Sequence, residues 1–194
     1  MLNLIELTAT GFGFLCVFLT IRRSVWCWPT GLIQVLLFII IFYDAKLYSD
    51  LVLHVIYIFL QFYGWYSWTR ADAGNESLDV KSLAIPWLVC WIAVSAIGTI
   101  GLGWTMASWT DASLPYADAF TTVASLVAQF LLARRYIQNW GFWIGVDSVA
   151  IWVYFTKELS ATAVLYIAFL ILASFGMVIW QKQLAKQRSH EIAT

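Results

Sequence analysis

The sequence predicts an all-α integral membrane protein with seven transmembrane helices in a 3+1+3 arrangement built on an internal repeat. Three observations predict it. Hydrophobic residues make up 62% of the chain, charged residues 11%, and mean hydropathy is +0.79. A soluble chain of 194 residues could not cover that much apolar surface. Apolar runs with almost no charge recur along the chain, each close to the ~20 residues that cross a bilayer. The chain also matches itself at a constant offset of 112 residues, with 13 identities over the 59 positions that carry Thr10–Trp68 onto Thr122–Trp180. Arg22-Arg23 falls on Arg134-Arg135, Trp28 on Trp140, Leu47 on Leu159, Val52-Leu53 on Val164-Leu165, Gly64 on Gly176 and Trp68 on Trp180. Phe18, Leu19, Ile39 and Leu60 also recur.

The runs lie at 3–21, 28–43, 48–68, 84–104, 115–133, 140–155 and 160–181. None alternates apolar with polar residues as a barrel strand would. The first lacks a basic segment before it, its first charge being Glu6, so it reads as a retained helix rather than a signal peptide. The second opens at Trp28-Pro29, where the proline suits a first turn or a hinge. The third carries a polar stripe. The fourth follows Pro86, a first-turn residue, and closes on Gly98, Gly101 and Gly103. The fifth and sixth hold most of the remaining polar residues, and Gly141 in the sixth is a second candidate hinge. The seventh runs into a basic tail. The division predicted is a first three-helix repeat over 1–70, a loop and linker helix over 71–110, a second repeat over 111–181 and a cytoplasmic tail over 182–194. Equivalent first and fifth helices are an even number of spans apart, so both repeats enter the membrane with the same polarity. This is a parallel repeat, SWEET-like in arrangement.

Loop charge sets the orientation. Arg22, Arg23, Arg70, Lys81, Arg134, Arg135, Lys182, Lys186 and Arg188 lie on one side, against Lys46 and Lys157 on the other. The positive-inside rule then puts the C-terminus in the cytoplasm and the N-terminus outside. The outer side carries Asp44, Asp50, Asp111, Asp118 and Glu158. Net charge is zero, which gives no basis for nucleic-acid binding. Cys16, Cys27 and Cys90 have no metal or redox spacing and read as helix packing; no metal and no cofactor is expected.

Matched positions read as scaffold, and unmatched polar positions as the means of holding an asymmetric substrate. Asp147 stands where the first copy has Val35, His54 opposite Tyr166, Gln61 opposite Ala173, Trp65 opposite Met177 and Lys46 opposite Glu158. A carboxylate in hydrocarbon is costly and faces a cavity or a partner; a structural pair with His54 is the alternative use of Asp147. Helical spacing places Trp140, Trp143, Asp147 and Tyr154 on one face. It does the same for His54, Tyr57, Gln61, Trp65 and Trp68, and for Asp118, Thr122, Ser125 and Gln129. Three polar-aromatic stripes suggest a solvated path, with a midplane site between rocking bundles. Tryptophan faces with one carboxylate suit a flat cationic heteroaromatic ligand. Trp26, Trp28, Trp68, Trp87, Trp104, Trp109 and Trp180, near helix ends, favour interfacial anchoring, although Trp28 is also paired with Trp140 as a cavity residue. Thr122, Ser125 and Gln129 equally suit interhelical hydrogen bonding.

The stretches WPTG (28–31), KLYSDLVLH (46–54), YGWYSW (63–68) and RRYIQNWGFWIGVD (134–147) resemble the PnuC family of vitamin transporters, over about residues 5 to 181. The resemblance implies the 3+1+3 fold, a homotrimer in a bacterial inner membrane, and facilitated diffusion without ion or ATP coupling. It implies trapping of the substrate by a cytoplasmic vitamin kinase. Substrate classes in the family include nicotinamide riboside, thiamine, riboflavin and deoxynucleosides. Asn139, Trp140, Trp143 and Asp147 match the family's Asn-Trp-x-x-Trp-x-x-x-Asn/Asp stretch. His54 stands where nicotinamide riboside members carry Gln. An amide pairs with a carboxamide through donor and acceptor together, which imidazole cannot do. That favours thiamine, with nicotinamide riboside as the alternative. The substrate-binding set is therefore Trp28, His54, Tyr57, Gln61, Trp65, Gln129, Asn139, Trp140, Trp143, Asp147 and Tyr154. A membrane enzyme is disfavoured because no nucleophile–base pair or metal cluster has suitable spacing. A passive scaffold would leave Asp147 without a role.

Overall fold

A computed structural model describes residues 2–44, 48–73, 78–110 and 112–193. Seven helices follow in order: α1 (Leu2–Ile21), α2 (Cys27–Asp44), α3 (Tyr48–Ala73), α4 (Ile85–Trp109), α5 (Pro115–Ala133), α6 (Asn139–Thr156) and α7 (Ser160–Ala193). Every predicted run becomes one helix. Three run past their predicted ends. α3 continues to Ala73 and α7 to Ala193, so the segment expected as a tail from 182 is helical over its described length. α4 continues to Trp109, which places Gly98, Gly101 and Gly103 inside the helix rather than at its close. Pro86 and Pro115 sit at the first positions of α4 and α5. Pro29 and Gly141 lie in the first turns of α2 and α6, where a missing N–H or a small residue costs little. Among the described residues, α1, α2, α4, α5 and α7 are long and apolar enough to cross a membrane. α3 and α6 fall short of that apolarity because they carry His54, Gln61, Asn139 and Asp147.

The chain divides into two compact units, Met1–Asp79 and Val80–Thr194. In the first, α2 packs on both α1 and α3; in the second, α5 packs on α4 and α6, and α6 on α7. α4 therefore belongs by packing to the second unit. Its contact line is small: Val123 of α5 fills the space beside Gly98, Tyr116 lies against Gly103, and Trp91 meets Phe130 with centroids 5.2 Å apart. Ile92, Ile97, Ile100 and Trp104 remain exposed along the rest of α4, as lipid-facing residues are.

The repeated residues build the same local structures twice. α1 and α5 each end with an arginine in the left-handed region, Arg23 at φ 56° and Arg135 at φ 63°. In both, the arginine N–H bonds the carbonyl three residues back, and the next N–H reaches five residues back: Ser24 to Leu19 at 2.9 Å, Tyr136 to Leu131 at 2.9 Å. This is the Schellman pattern, which satisfies carbonyls left free at a helix end. One residue earlier, Arg22 lies over the Phe18 ring at 5.1 Å and Arg134 over Phe130 at 6.0 Å. Trp28 packs directly on Gly64 and meets Trp68 edge-on, centroids 5.4 Å apart at 81°. Trp140 does the same with Gly176 and Trp180, at 5.6 Å and 90°. Glycine is required in both places because a Cβ on Gly176 would stand 2.6 Å from the Trp140 ring. Each edge-on pair adds about 0.5–1.5 kcal/mol beyond its buried area.

These clusters correct one expectation. Trp28, Trp68 and Trp180 are not interfacial anchors, since they are 1%, 0% and 0% exposed. A ring sealed against its own bundle cannot reach the headgroup layer. Trp26, Trp87, Trp104 and Trp109 are exposed, as anchors are. Lys46 and Asp111, counted above among the outer charges, lie outside the described residues.

Candidate functional site

In the first unit, the α3 stripe faces inward. Gln61 and Trp68 are buried and His54, Tyr57 and Trp65 half-buried, while Val52, Val55, Ile56, Phe59, Phe62 and Tyr66 form the exposed side. Gln61 lies against Gly31 of α2, and its Oε1 is buried with no hydrogen-bond partner among the described residues. Trp28 is buried, and its indole N–H likewise has no partner among the described residues. His54 sits nearer the N-terminal end of α3 in an aromatic group: Phe42 at 4.8 Å edge-on, Tyr57 at 5.6 Å edge-on and Phe38 at 5.8 Å. The second unit builds its counterpart from different residues, Tyr154 stacked on Tyr166 at 5.2 Å and Tyr166 meeting Phe169 at 6.4 Å. Phe42, His54 and Tyr57 fall on Tyr154, Tyr166 and Phe169 at the repeat offset. His54 and Tyr166 thus take equivalent places in paired aromatic groups.

Among the described residues, the second unit holds most of the buried polar side chains: Ser95, Ser125, Gln129, Arg135, Asn139 and Asp147, against Thr20 and Gln61 in the first. The unequal share is where the copies' asymmetry resides. Asp147 is 5% exposed and makes no hydrogen bond or ion pair among the described residues. Val35, at the equivalent position, is equally buried, so the second copy has put a carboxylate where the first has a packing residue. Asn139 opens α6 and donates from Nδ2 to the Tyr136 carbonyl at 2.7 Å; its Oδ1 and Trp140 Nε1 are buried with no partner among the described residues. Trp143 is half-buried. It occupies the position of Gly31, while Ala173 replaces Gln61. The amide over a glycine in one copy thus corresponds to an indole and an alanine in the other.

The α5 stripe separates into parts. Asp118 is joined to Lys157 at 3.5 Å near the N-terminal end of α5, a partly exposed pair of small energetic consequence. Ser125 donates to the Thr122 carbonyl at 2.9 Å within its own helix. Gln129 is buried. Cys16 Sγ donates to the Cys27 backbone carbonyl at 3.2 Å, and the Cys27 side chain is buried between the helices. Among the described residues no three His, Cys, Asp or Glu side chains gather to hold a metal ion.

Sequence reasoning did not single out Phe42, Tyr166 and Phe169 as partners of His54 and Tyr154, nor Arg135 as a buried charge. Carrying the repeat offset through aromatic as well as identical positions would have found the first set.

Apolar helices in two repeated bundles, with unpaired polar groups buried inside, define a polytopic membrane protein of transporter type. The family model described as nicotinamide mononucleotide transporter matches residues 3–182, and the chain belongs to that family, the PnuC group of vitamin transporters. It is 28% identical to the nicotinamide riboside transporter PnuC of Escherichia coli (strain K12), over 92% of this chain and 85% of the relative. It is 26% identical to the riboflavin/roseoflavin transporter RibM of Streptomyces davaonensis, over 87% and 80%. The crystal structure of the vitamin B3 transporter PnuC superposes with a TM-score of 0.77 at 25% identity, covering 95% of this chain and 83% of that one.

Proposed function

We propose that this protein carries nicotinamide riboside across the bacterial cytoplasmic membrane by facilitated diffusion. The observation that carries the proposal is Asp147, a carboxylate 5% exposed with no partner among the described residues. Nicotinamide riboside is a pyridinium, a flat ring bearing a fixed positive charge. A buried carboxylate is costly alone and favourable beside a cation. Trp143, about one helical turn before Asp147 on the same face, offers a ring for stacking and cation–π attraction. Gln129 and the free Oδ1 of Asn139 supply amide groups for a carboxamide or ribose hydroxyls.

Relatives named for nicotinamide riboside support this vitamin over thiamine. The thiamine expectation rested on His54 alone, and His54 packs among Phe38, Phe42 and Tyr57. That packing offers a reason for the histidine other than ligand choice. Riboflavin is the second reading, favoured by the likeness to RibM; its ring is uncharged and gives Asp147 no counter-ion. The orientation proposed has the N-terminus outside and the basic loops in the cytoplasm, where a kinase phosphorylates the vitamin and prevents its return. The assembly proposed is a homotrimer.

Calorimetric titration of the purified protein tests the site. Asp147→Asn and Trp143→Ala should each weaken nicotinamide riboside binding roughly tenfold or more, about 1.4 kcal/mol. Near-normal binding by both variants would remove these residues from the site.

A further inference from the structure

We infer that Gln138 is a positioning residue: it clamps the Val80–Leu83 segment onto the turn that opens α6, and so fixes the side chain of Asn139, which on the proposed function meets the ligand. Gln138 stands at the N-cap of α6 yet makes no side-chain cap bond. A side chain at that place ordinarily serves the first free N–H groups of its own helix. Gln138 instead turns both ends of its amide to another segment. Oε1 accepts from the Leu83 N–H at 3.1 Å, and Nε2 donates to Ser82 Oγ at 3.1 Å.

The segment so held is also bonded to the turn through its backbone. Lys81 N–H donates to the Arg135 carbonyl and Ile137 N–H to the Lys81 carbonyl, both at 2.9 Å, in a parallel bridge to Tyr136. Val80 and Ile137 are buried. Tyr136 is thus pinned through both of its neighbours. Its own N–H bonds the Leu131 carbonyl, and its carbonyl accepts twice from Asn139: from the backbone N–H at 3.1 Å and from Nδ2 at 2.7 Å. A carbonyl can only accept, so Nδ2 must face Tyr136 and Oδ1 is left to face elsewhere. Oδ1 is the buried acceptor with no partner among the described residues. Contact therefore runs from Gln138 through the Val80–Leu83 segment and Tyr136 to the Asn139 amide. Two bridge bonds hold a segment only marginally in water, so the amide clamp decides how firmly Tyr136 is set.

The first copy has neither the clamp residue nor its object. At the repeat offset Trp26 stands for Gln138 and Cys27 for Asn139. Trp26 is 71% exposed, and an indole offers no acceptor. Near that turn Arg23 Nη1 donates to the Leu78 carbonyl at 2.9 Å. A clamp that merely tied down the connecting loop would serve as well on either turn. It occurs on the one that is followed by an amide.

Amide hydrogen exchange and calorimetric titration of the full chain in detergent test the inference. Gln138→Leu keeps the length of the side chain and removes its donor and acceptor. In that variant the Lys81, Ile137 and Asn139 amides should exchange faster than in wild type, and those in the middle of α5 and α6 should not. It should bind nicotinamide riboside roughly fivefold more weakly, the worth of about one hydrogen bond. In an Asn139→Ala background the same substitution should cost no further affinity, because its effect passes through Asn139. Gln138→Glu keeps an acceptor for the Leu83 N–H, and Ser82 can turn its hydroxyl to donate, so affinity should return to within about twofold of wild type. Unchanged exchange in Gln138→Leu overturns the inference, as does an equal loss of affinity with and without Asn139. Should Gln138→Leu fail to fold, Ser82→Ala removes half of the clamp and should speed the same three amides; unchanged rates there overturn it too. Wild type that binds no nicotinamide riboside, or Asn139→Ala with wild-type affinity, contradicts the proposed site instead, and the exchange comparison then decides the clamp by itself.

Discussion

At the scale of single residues, the repeat makes exceptions legible. Asp147 is conspicuous in the sequence because Val35 stands at the matching place, and the structure places both at the same depth of burial. Sequence spacing also put His54, Tyr57 and Gln61 on one inward stripe, and they are there. The surroundings of His54 were not legible, because Phe38 and Phe42 come from another helix whose rotation no spacing within α3 reveals. Its contacts lead to a prediction. His54→Gln should leave the ratio of nicotinamide riboside to thiamine affinity within about threefold, under 1 kcal/mol, as read by titration with each vitamin. A switch of preference would restore His54 as a selector.

Elements show why particular identities recur. Gly64 and Gly176 let α3 and α7 approach the ring of Trp28 or Trp140 from the neighbouring helix. Gly64→Ala and Gly176→Ala should each lower stability by about 1–3 kcal/mol through overpacking, seen as a lower Tm in detergent. Unchanged melting would mean that the rings move aside freely. Helix ends yield a prediction of opposite sign. Glu158 follows α6 in the left-handed region at φ 60°, and it places negative charge at a helix C-terminus. Glu158→Gly should raise stability by about 1 kcal/mol of relieved strain; a lower Tm would show that the carboxylate has a use. Helix extents past residues 68, 104 and 181 were not legible, because polar residues such as Arg70, Lys182 and Lys186 continue a helix beyond an apolar run as readily as they end it.

For the whole molecule, composition and the constant offset were enough to predict seven helices and a doubled architecture, since the bilayer permits few other ways to satisfy so many backbone groups. The anchoring role given to Trp28, Trp68 and Trp180 failed because hydropathy along a chain does not distinguish a ring facing headgroups from one sealed in a bundle. Substrate identity was not legible from one histidine either, and family relationship outweighed it. Uptake by proteoliposomes measures the central claim most directly. With labelled nicotinamide riboside outside, wild type should fill the vesicles until inside and outside concentrations are equal, unaffected by a protonophore. Unlabelled nicotinamide riboside should compete and thiamine should not, and Asp147→Asn should slow filling severely. Competition by thiamine or riboflavin alone, accumulation above the outside concentration, or an Asp147→Asn variant that fills at the wild-type rate would contradict the account.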